Sequence, residues 1–260
     1  MDNSNLKPFI LNNGKKNPFV LVVPGGGYDH YGSREQDIIA QKMNELGFSS
    51  AVLYYRINPS VFPLPLVDLA QAMAFIKQKK SEWNISSICV MGFSAGGHLS
   101  ACLGAYWNSP LIKELTGLGA EEVRPDYLCL CYPVVTSDKN CSHAGSFKML
   151  TDGLLEENAQ KFCELTDSKD IMEVLSVEKH ITKDFPPSFV WHTQTDESVK
   201  IQNSLSLVNR LVENGVSVEY HLFPEGKHGL SLAQGTVCGV WPELFANWYK
   251  SKIKNNLEII

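Results

Sequence analysis

The stretch that decides the fold of this chain is ICVMGFSAGGH, at residues 88–98. Its first four residues, ICVM, predict a buried strand, and the residues after Gly96 have a helical period. Between them lies GFSAG, in which Ser94 has a glycine two positions away on either side. A serine at a tight turn from strand to helix needs such small neighbours, because the two backbones pass close to it. We therefore interpret Ser94 as a nucleophile held in strained geometry at the edge of a sheet. Taken alone, the pentapeptide is also consistent with an ordinary glycine-rich turn or a phosphate-binding loop.

Apolar runs typical of strands alternate with longer segments of helical period on both sides of this motif. The predicted strands are FVLVV (19–23), SAVLY (50–54), ICVM (88–91), YLCLC (127–131), SFVWH (188–192) and residues 216–222. The predicted helices cover residues 35–46, 66–79, 97–106 and 199–214. Several of the strands are apolar on both faces, as buried parallel strands must be. The pattern therefore predicts an α/β protein with a mostly parallel central sheet and helices on both faces.

The alternation is interrupted after Pro133 by a polar, helix-prone stretch from about residue 136 to 183. Short amphipathic segments lie within it at residues 145–150, 158–165 and 171–174. Because the strand pattern resumes afterwards, we interpret this stretch as a helical cap insertion over the sheet edge. The prediction is a single domain that spans residues 1–260.

The composition narrows the class of partner. The chain has 260 residues, of which 44% are hydrophobic and 20% charged, which is enough to bury one sizeable core. Its net charge of −5 lacks the basic footprint that nucleic acids or anionic membranes require. No apolar run is long enough to span a bilayer. The expected partner is therefore a small molecule, with no nucleic acid and no membrane.

The N-terminal region and the cysteines bear on location and on metals. Residues 1–18 are polar where a secretory signal needs an uninterrupted apolar core, so we expect no targeting segment. The seven cysteines are scattered, mostly in apolar surroundings, which favours reduced thiols and a cytoplasmic protein. Cys141 lies two residues before His143, but the paired spacing of zinc ligands is absent. We predict neither a metal nor a cofactor.

A serine nucleophile needs a base, and the base needs an orienting acid. His228 lies in the loop PEGKHG (224–229), directly after the last predicted strand, and we interpret it as the base. Asp196 follows the preceding strand and is the predicted acid, with Glu197 as its rival. The order Ser, Asp, His along the chain differs from the two other common orders of this triad. The remaining histidines interpreted as structural include His98, His192 and His221.

A second glycine run, PGGGY at residues 24–28, follows the strand FVLVV. An acyl-transfer enzyme needs backbone N–H groups aimed at the developing oxyanion, and a loop without side chains suits that purpose. Gly26 and Gly27, together with Ala95, are the predicted donors. The alternatives are a flexible turn and a dinucleotide loop, but the spacing G-x-G-x-x-G is not met.

The residues after the glycine run are candidates for the substrate pocket. Tyr28, His30 and Tyr31 lie beside the predicted oxyanion loop, and we expect them to bind substrate. An aromatic side chain at this place is equally consistent with the core. Asp68 is interpreted as structural, either a helix cap or a brace beneath the site.

With these motifs in place, the chain resembles the acetyl-esterase branch of the α/β-hydrolases, the group labelled acetylxylan-esterase-like or xylanase-B-like. The similarity runs from about Phe19 to Trp248 and is carried by PGGGY, GFSAGGH, the TDE acid loop and GKHGLSLA at 226–233. The related hormone-sensitive-lipase group opens its glycine motif with histidine, whereas this chain has Pro24. The resemblance implies the α/β-hydrolase fold, with Ser94, Asp196 and His228 as its triad.

The resemblance also implies a serine esterase that removes short acyl groups, principally acetyl, from sugars or oligosaccharides taken into the cell. Two rivals use the same triad, a carboxylesterase of broader range and an amide hydrolase such as an aryl formamidase or a peptidase. A third is a binding protein that kept the fold without catalysis, against which the complete triad argues. An apolar patch near the cap would support a homodimer.

Overall fold

The structure is a computed structural model that describes residues 5–59 and 61–258, and its centre is one seven-stranded sheet. The spatial order of the strands is β1-β3-β2-β4-β5-β6-β7. β1 runs antiparallel to β3, and the other neighbouring pairs are parallel. The strands are β1 (Leu6–Phe9), β2 (Asn17–Val23), β3 (Ser49–Leu53), β4 (Ile85–Phe93), β5 (Tyr127–Cys131), β6 (Ser188–Thr193) and β7 (Val218–Phe223). Residues 1–4, part of the stretch for which no targeting segment is predicted, lie outside the described residues.

The described part of the chain also has ten α-helices and two 3₁₀ helices, the latter at Val177–His180 and Val237–Val240. The first five α-helices are α1 (Asp37–Glu45), α2 (Leu64–Gln78), α3 (Ala95–Tyr106), α4 (Pro110–Thr116) and α5 (Ala120–Val123). The others are α6 (Ala144–Thr151), α7 (Glu156–Thr166), α8 (Ile171–Val174), α9 (Gln202–Glu213) and α10 (Trp241–Glu258). None of these described helices is both long and apolar enough to cross a membrane.

The sheet separates two cores because successive strand residues face opposite sides. In β2, Phe19, Leu21 and Val23 belong to one core, while Val20 and Val22 belong to the other. Side chains from α2, α3 and α9 fill the first core, and side chains from α1 and α10 fill the second. Both faces are therefore covered by helices, and the predicted mostly parallel α/β architecture is confirmed.

The helical insertion is also confirmed. Between β5 and β6 the chain forms α6, α7, α8 and a 3₁₀ helix, close to the amphipathic segments predicted from the sequence. Phe147, Phe162 and Val174, one from each α-helix, are buried in the first core. The insertion therefore packs on the same core as the helices over that face of the sheet.

The sequence pattern did not predict β1, which is four residues long and contains Pro8. Proline lacks the N–H that a central strand needs, but it is tolerated at the edge of a sheet. β1 occupies that edge, where its one neighbour is β3. Helices α4, α5 and α10 were not predicted either.

The parallel strands bring the candidate site residues to one edge of the sheet. Ser94 directly follows β4, and the glycine run directly follows β2. Asp196 lies three residues after β6, and His228 lies five residues after β7. In open α/β sheets, ligands bind outside the carboxyl ends of the strands. The topology therefore predicts a single site at this edge.

Candidate active site

Ser94 occupies a strained turn between β4 and α3. Its backbone has φ of 52° and ψ of −116°, in a region that residues other than glycine rarely adopt. The Ser94 N–H donates to the carbonyl of Cys131 (3.0 Å), and its own carbonyl accepts from the N–H groups of His98 (3.0 Å) and Val134 (3.1 Å). These three bonds hold the conformation that the GFSAG motif predicts.

The structure brings Ser94, His228 and Asp196 into one hydrogen-bonded row. Ser94 Oγ lies 2.7 Å from His228 Nε2, and His228 Nδ1 lies 2.6 Å from Asp196 Oδ2. The second carboxylate oxygen of Asp196 accepts from the N–H groups of Ser198 and Val199, each at 3.0 Å. With Asp196 as acceptor, Nδ1 carries the proton and Nε2 is free to take one from Ser94.

The carboxylate of Asp196 is buried, yet its surroundings favour the ionised form. Burial alone would raise the pKa of Asp196, but hydrogen bonds from His192 and His228 outweigh it and hold that pKa well below its usual range. The rival acid Glu197 is exposed, whereas Asp196 is 5% exposed. The geometry therefore favours Asp196 over Glu197 as the partner of His228.

His192 has a role that the sequence did not reveal. Its place within a strand pattern predicts a structural role, yet its Nε2 is 3.2 Å from Asp196 Oδ2 and 2.9 Å from the carbonyl of Val199. Both neighbours are acceptors, so Nε2 donates, and Nδ1 accepts from the hydroxyl of Ser204 (2.8 Å). The carboxylate that orients His228 is thus itself oriented by a second histidine. An i, i+4 pair across a strand end gives no periodic signal in the sequence.

The glycine loop adopts a conformation that only glycine allows without strain. Gly26 has φ of 118°, and a Cβ at this position would lie 2.0 Å from the carbonyl oxygen of His30. Within the described part of the chain, the N–H groups of Gly26 and Gly27 have no hydrogen-bond acceptor. Ala95 is the first residue of α3, where backbone N–H groups lack an intrahelical acceptor. The three predicted donors therefore have no acceptor among the described residues.

A cavity of about 720 Å³ opens over Ser94. Of the residues predicted to bind substrate, His30 and Tyr31 line it and Tyr28 does not. Insertion residues contribute to the wall as well, so the insertion reaches the site. The lining residues are Gly26, Gly27, Asp29, His30, Tyr31, Gly32, Ser33, Arg34, Glu35, Ser94, His143, Gly145, Met149, Ser198, His228 and Gly229.

The expectation that Tyr28 faces substrate requires correction. Its side chain is 1% exposed, and its hydroxyl lies 2.7 Å from Nδ1 of His98 in the nucleophile helix. His98 Nε2 lies 2.7 Å from the carbonyl of Leu175, so Nε2 is the donor and Nδ1 accepts from Tyr28. Tyr28 therefore anchors the glycine loop on α3, and His98 anchors α3 on the insertion.

This buried histidine predicts a pH dependence of stability. Burial lowers the pKa of His98 from 6.5 to about 4, and the bond to Leu175 opposes this only in part. Between these two values the unfolded chain binds a proton that the folded chain does not, so the free energy of unfolding falls as the pH is lowered. Between pH 7.5 and pH 5, His98 is expected to account for a loss of about 2 kcal/mol.

The measurement is urea unfolding at both pH values, with His98→Gln as the matched variant. Glutamine offers a carbonyl oxygen to Tyr28 and an amide N–H to Leu175, but it does not titrate. The lowered pKa values of His143 and His180 act in both proteins, so the difference between them isolates His98. Equal losses of stability in the two proteins would contradict the assignment.

His143 lies in the cavity wall, a position that the sequence does not predict. Its Nδ1 accepts from the N–H of Ser146 (3.2 Å) at the start of α6 and lies 2.8 Å from the Ser146 hydroxyl. Burial, and then the charge of His228, lower its pKa. Because Nδ1 accepts, the proton lies on Nε2. Among the described residues, no group of three or more potential ligands is arranged to hold a metal ion.

The chain is similar in sequence to known proteins and to one family model. Residues 9–211 match the family model described as BD-FAE. The chain is 32% identical over 255 residues to endo-1,4-beta-xylanase B of Butyrivibrio fibrisolvens. The matched region covers 94% of this chain and 36% of that protein. It is also 26% identical over 239 residues to an acetylxylan esterase of Xylanibacter ruminicola, in a match that covers 89% of this chain and 45% of that protein. The chain thus spans less than half the length of these two curated relatives.

Among solved structures, the chain is similar to the acetyl ester-xyloside bifunctional hydrolase from Caldicellulosiruptor lactoaceticus. The two share 36% identity with a TM-score of 0.82, over 95% of this chain and 87% of the other. Together with the parallel sheet, this likeness confirms the α/β-hydrolase fold that the sequence predicts.

Proposed function

The chain belongs to the BD-FAE family, and from this premise we propose that it is a serine esterase that removes short acyl groups, principally acetyl, from sugars or oligosaccharides. The observation that carries the proposal is the hydrogen-bonded row of Ser94, His228 and Asp196, with distances of 2.7 and 2.6 Å. A row of this kind activates a hydroxyl for attack on a carbonyl carbon. The relatives named acetylxylan esterase and acetyl ester-xyloside hydrolase support the substrate class.

The reaction proceeds in two steps of acyl transfer. His228 Nε2 takes the proton of Ser94 as Oγ attacks the ester carbonyl, and Asp196 stabilises the imidazolium that forms. The oxyanion is bound by the N–H groups of Gly26, Gly27 and Ala95. His228 then protonates the departing alkoxide oxygen of the sugar, which leaves an acyl group on Ser94. Water, deprotonated by His228, attacks this ester and releases the acid with the serine restored.

The mouth of the cavity fits a leaving group rich in hydroxyls. Asp29, His30 and Arg34 are exposed there and offer both donors and acceptors. A sugar can form several hydrogen bonds with these groups, whereas a lipid-like alcohol offers them one hydroxyl, so the lining supports a sugar.

Cleavage of a glycosidic bond is not proposed, although one relative is named a xylanase. Such cleavage needs two carboxyl groups placed on either side of the bond. The carboxyl groups that line the cavity belong to Asp29 and Glu35. Both oxygens of Glu35 are already engaged, one with the N–H of Gly25 (2.9 Å) and the other with the hydroxyl of Tyr132 (2.6 Å).

The experiment is hydrolysis of p-nitrophenyl acetate, butyrate and octanoate beside an acetylated xylo-oligosaccharide, with Ser94→Ala as the control. We expect acetate and the acetylated sugar to react and octanoate to react least. Preference for octanoate would move the assignment to a carboxylesterase of broader range. Absence of any Ser94-dependent release would contradict the ester proposal and direct the same assay to formamides and peptides.

Location and assembly follow as secondary proposals. All seven cysteines are free, and five of them are buried, which supports a reducing compartment such as the cytoplasm. The exposed apolar side chains of the insertion include Leu155 and Met172. A homodimer through that surface remains a prediction.

A further inference from the structure

Glu35 is a buried carboxylate that lies between two loops of the site. Glu35 is 5% exposed and lies at the end of the segment that follows the glycine run. One oxygen, Oε2, accepts from the N–H of Gly25 at 2.9 Å. The other, Oε1, accepts from the hydroxyl of Tyr132 at 2.6 Å. A buried carboxylate is costly unless it is hydrogen-bonded in this way, so its presence calls for a reason.

The chain leaves room for this carboxylate on two sides. A Cβ on Gly25 would lie 2.7 Å from Glu35 Oε2, and a Cβ on Gly32 would lie 2.6 Å from the same atom. The Cβ position on Gly25 is also 2.9 Å from Cβ of Ser94. The carboxylate therefore holds the peptide that packs against the nucleophile and leads directly into Gly26 and Gly27.

The second oxygen reaches the loop that carries His228. The hydroxyl of Tyr132, which donates to Glu35, accepts from the N–H of Ser231 at 3.0 Å. The ring of Tyr132 packs edge-on against the imidazole of His228, with centroids 5.1 Å apart. A single hydrogen-bonded chain thus runs from Gly25 through Glu35 and Tyr132 to Ser231.

We propose that Glu35 is a positioning residue for acyl transfer, which holds the oxyanion loop and the His228 loop in register through Gly25 and Tyr132. The inference rests on the proposed function, since it concerns the same Ser94 chemistry. Glu35 acts through its neighbours, so its effect is on how well the oxyanion donors and the base meet the transition state. Such placement affects kcat more than KM, because the ground state does not use these contacts fully.

Other contacts keep the two loops together when Glu35 is changed. Arg34 Nη2 donates to the carbonyl of Gly229 at 2.9 Å, and the carbonyl of Arg34 accepts from the hydroxyl of Ser231. The loops are therefore expected to stay assembled and to lose only their fine alignment. A misplacement on the order of 1 Å lowers the rate by about 100-fold.

The test uses Glu35→Gln, Tyr132→Phe and the double variant, with Glu225→Gln as the matched control. Gly25 and Tyr132 both donate to Glu35, and a glutamine can accept from only one of them. Tyr132→Phe keeps the ring against His228 and removes only the hydroxyl. Glu225 is exposed on the loop that carries His228, so its replacement makes the same chemical change outside the chain of hydrogen bonds.

Two readouts are measured, kcat and KM for p-nitrophenyl acetate and the rate of Ser94 labelling by a fluorophosphonate. For Glu35→Gln we expect kcat and the labelling rate to fall by about 10- to 100-fold, with KM within about twofold of wild type. Tyr132→Phe is expected to lower kcat less, because it removes the bonds to Glu35 and Ser231 but leaves intact the bond from Gly25 to Glu35 that holds the oxyanion loop. The double variant is expected to resemble Glu35→Gln, because both residues act through one chain. Glu225→Gln is expected to match wild type.

The outcomes separate this inference from the proposed function. A wild-type protein that does not label at Ser94 would contradict the proposed function itself. A wild-type protein that labels, beside a Glu35→Gln variant that labels equally fast, would overturn the role of Glu35 alone. A rise in KM at unchanged kcat would overturn it too, as would strictly additive effects in the double variant. Should Glu35→Gln fail to fold by circular dichroism, an unchanged kcat in folded Tyr132→Phe would overturn the inference, and a lowered kcat there would support it.

Discussion

Replacing Ser94 with alanine is expected to lower kcat for p-nitrophenyl acetate by roughly 10⁴- to 10⁶-fold, with little effect on the unfolding transition. The substitution removes the oxygen that lies 2.7 Å from His228 Nε2 and leaves the rest of the site in place. Alanine at this position keeps the Cβ and the three backbone bonds that hold the turn. The residual rate would come from binding and from the oxyanion donors.

The measurement is steady-state hydrolysis with active-site titration by a fluorophosphonate. Ser81→Ala is the matched control, since Ser81 is exposed and does not line the cavity. We expect the control to be labelled like wild type and Ser94→Ala not to be labelled at all. Near-normal turnover in Ser94→Ala would exclude the serine as nucleophile and with it the acyl-enzyme.

Replacing Gly96 with alanine is expected to destabilise the protein strongly, because α3 passes close to the backbone at the end of β2. An added Cβ would lie 2.1 Å from the carbonyl oxygen of Val23 and 2.4 Å from that of Pro24. These atoms are backbone, at the end of β2 and the start of the glycine loop, so no side-chain rotation relieves the clash. We expect the free energy of unfolding to fall by at least about 3 kcal/mol, with loss of activity in whatever remains folded.

Urea unfolding followed by circular dichroism tests this prediction. The matched control is Gly145→Ala in α6, where an added Cβ has its nearest contact at 3.5 Å, an ordinary distance. Alanine also favours the helix over glycine by about 1 kcal/mol, so the control is expected to be as stable as wild type or more so. An unchanged midpoint of urea unfolding in Gly96→Ala would contradict the close approach of α3 to the end of β2.

Much of the site was predictable because each residue follows a strand. Ser94, Asp196 and His228 lie just beyond β4, β6 and β7, and parallel strands bring their carboxyl ends to one edge. Strand patterns and turn residues are local, so the sequence reports them directly. The sequence left Glu197 as a rival to Asp196 for the acid that orients His228. The two residues are adjacent, and what separates them is the direction in which each side chain points.

What the pattern did not reveal are contacts between side chains that are far apart in the chain. Tyr28 follows the glycine run, and from the sequence it was equally able to face substrate or the core. Only packing against His98, 70 positions away, decided that its hydroxyl is buried. Glu35 and Tyr132 are 97 positions apart, and neither belongs to a motif.

By itself, then, the sequence determined the α/β architecture, the helical insertion and the order in which a candidate nucleophile, acid and base appear. Periodicity and glycine placement are enough for that, because they act within one strand, one helix or one turn. The tertiary structure decided which groups surround these residues: His192 on Asp196, Tyr28 on His98 and Glu35 between two loops. Such contacts form where segments that are far apart in the chain pack together. The direction of a side chain at such a contact produces no periodic pattern in the sequence.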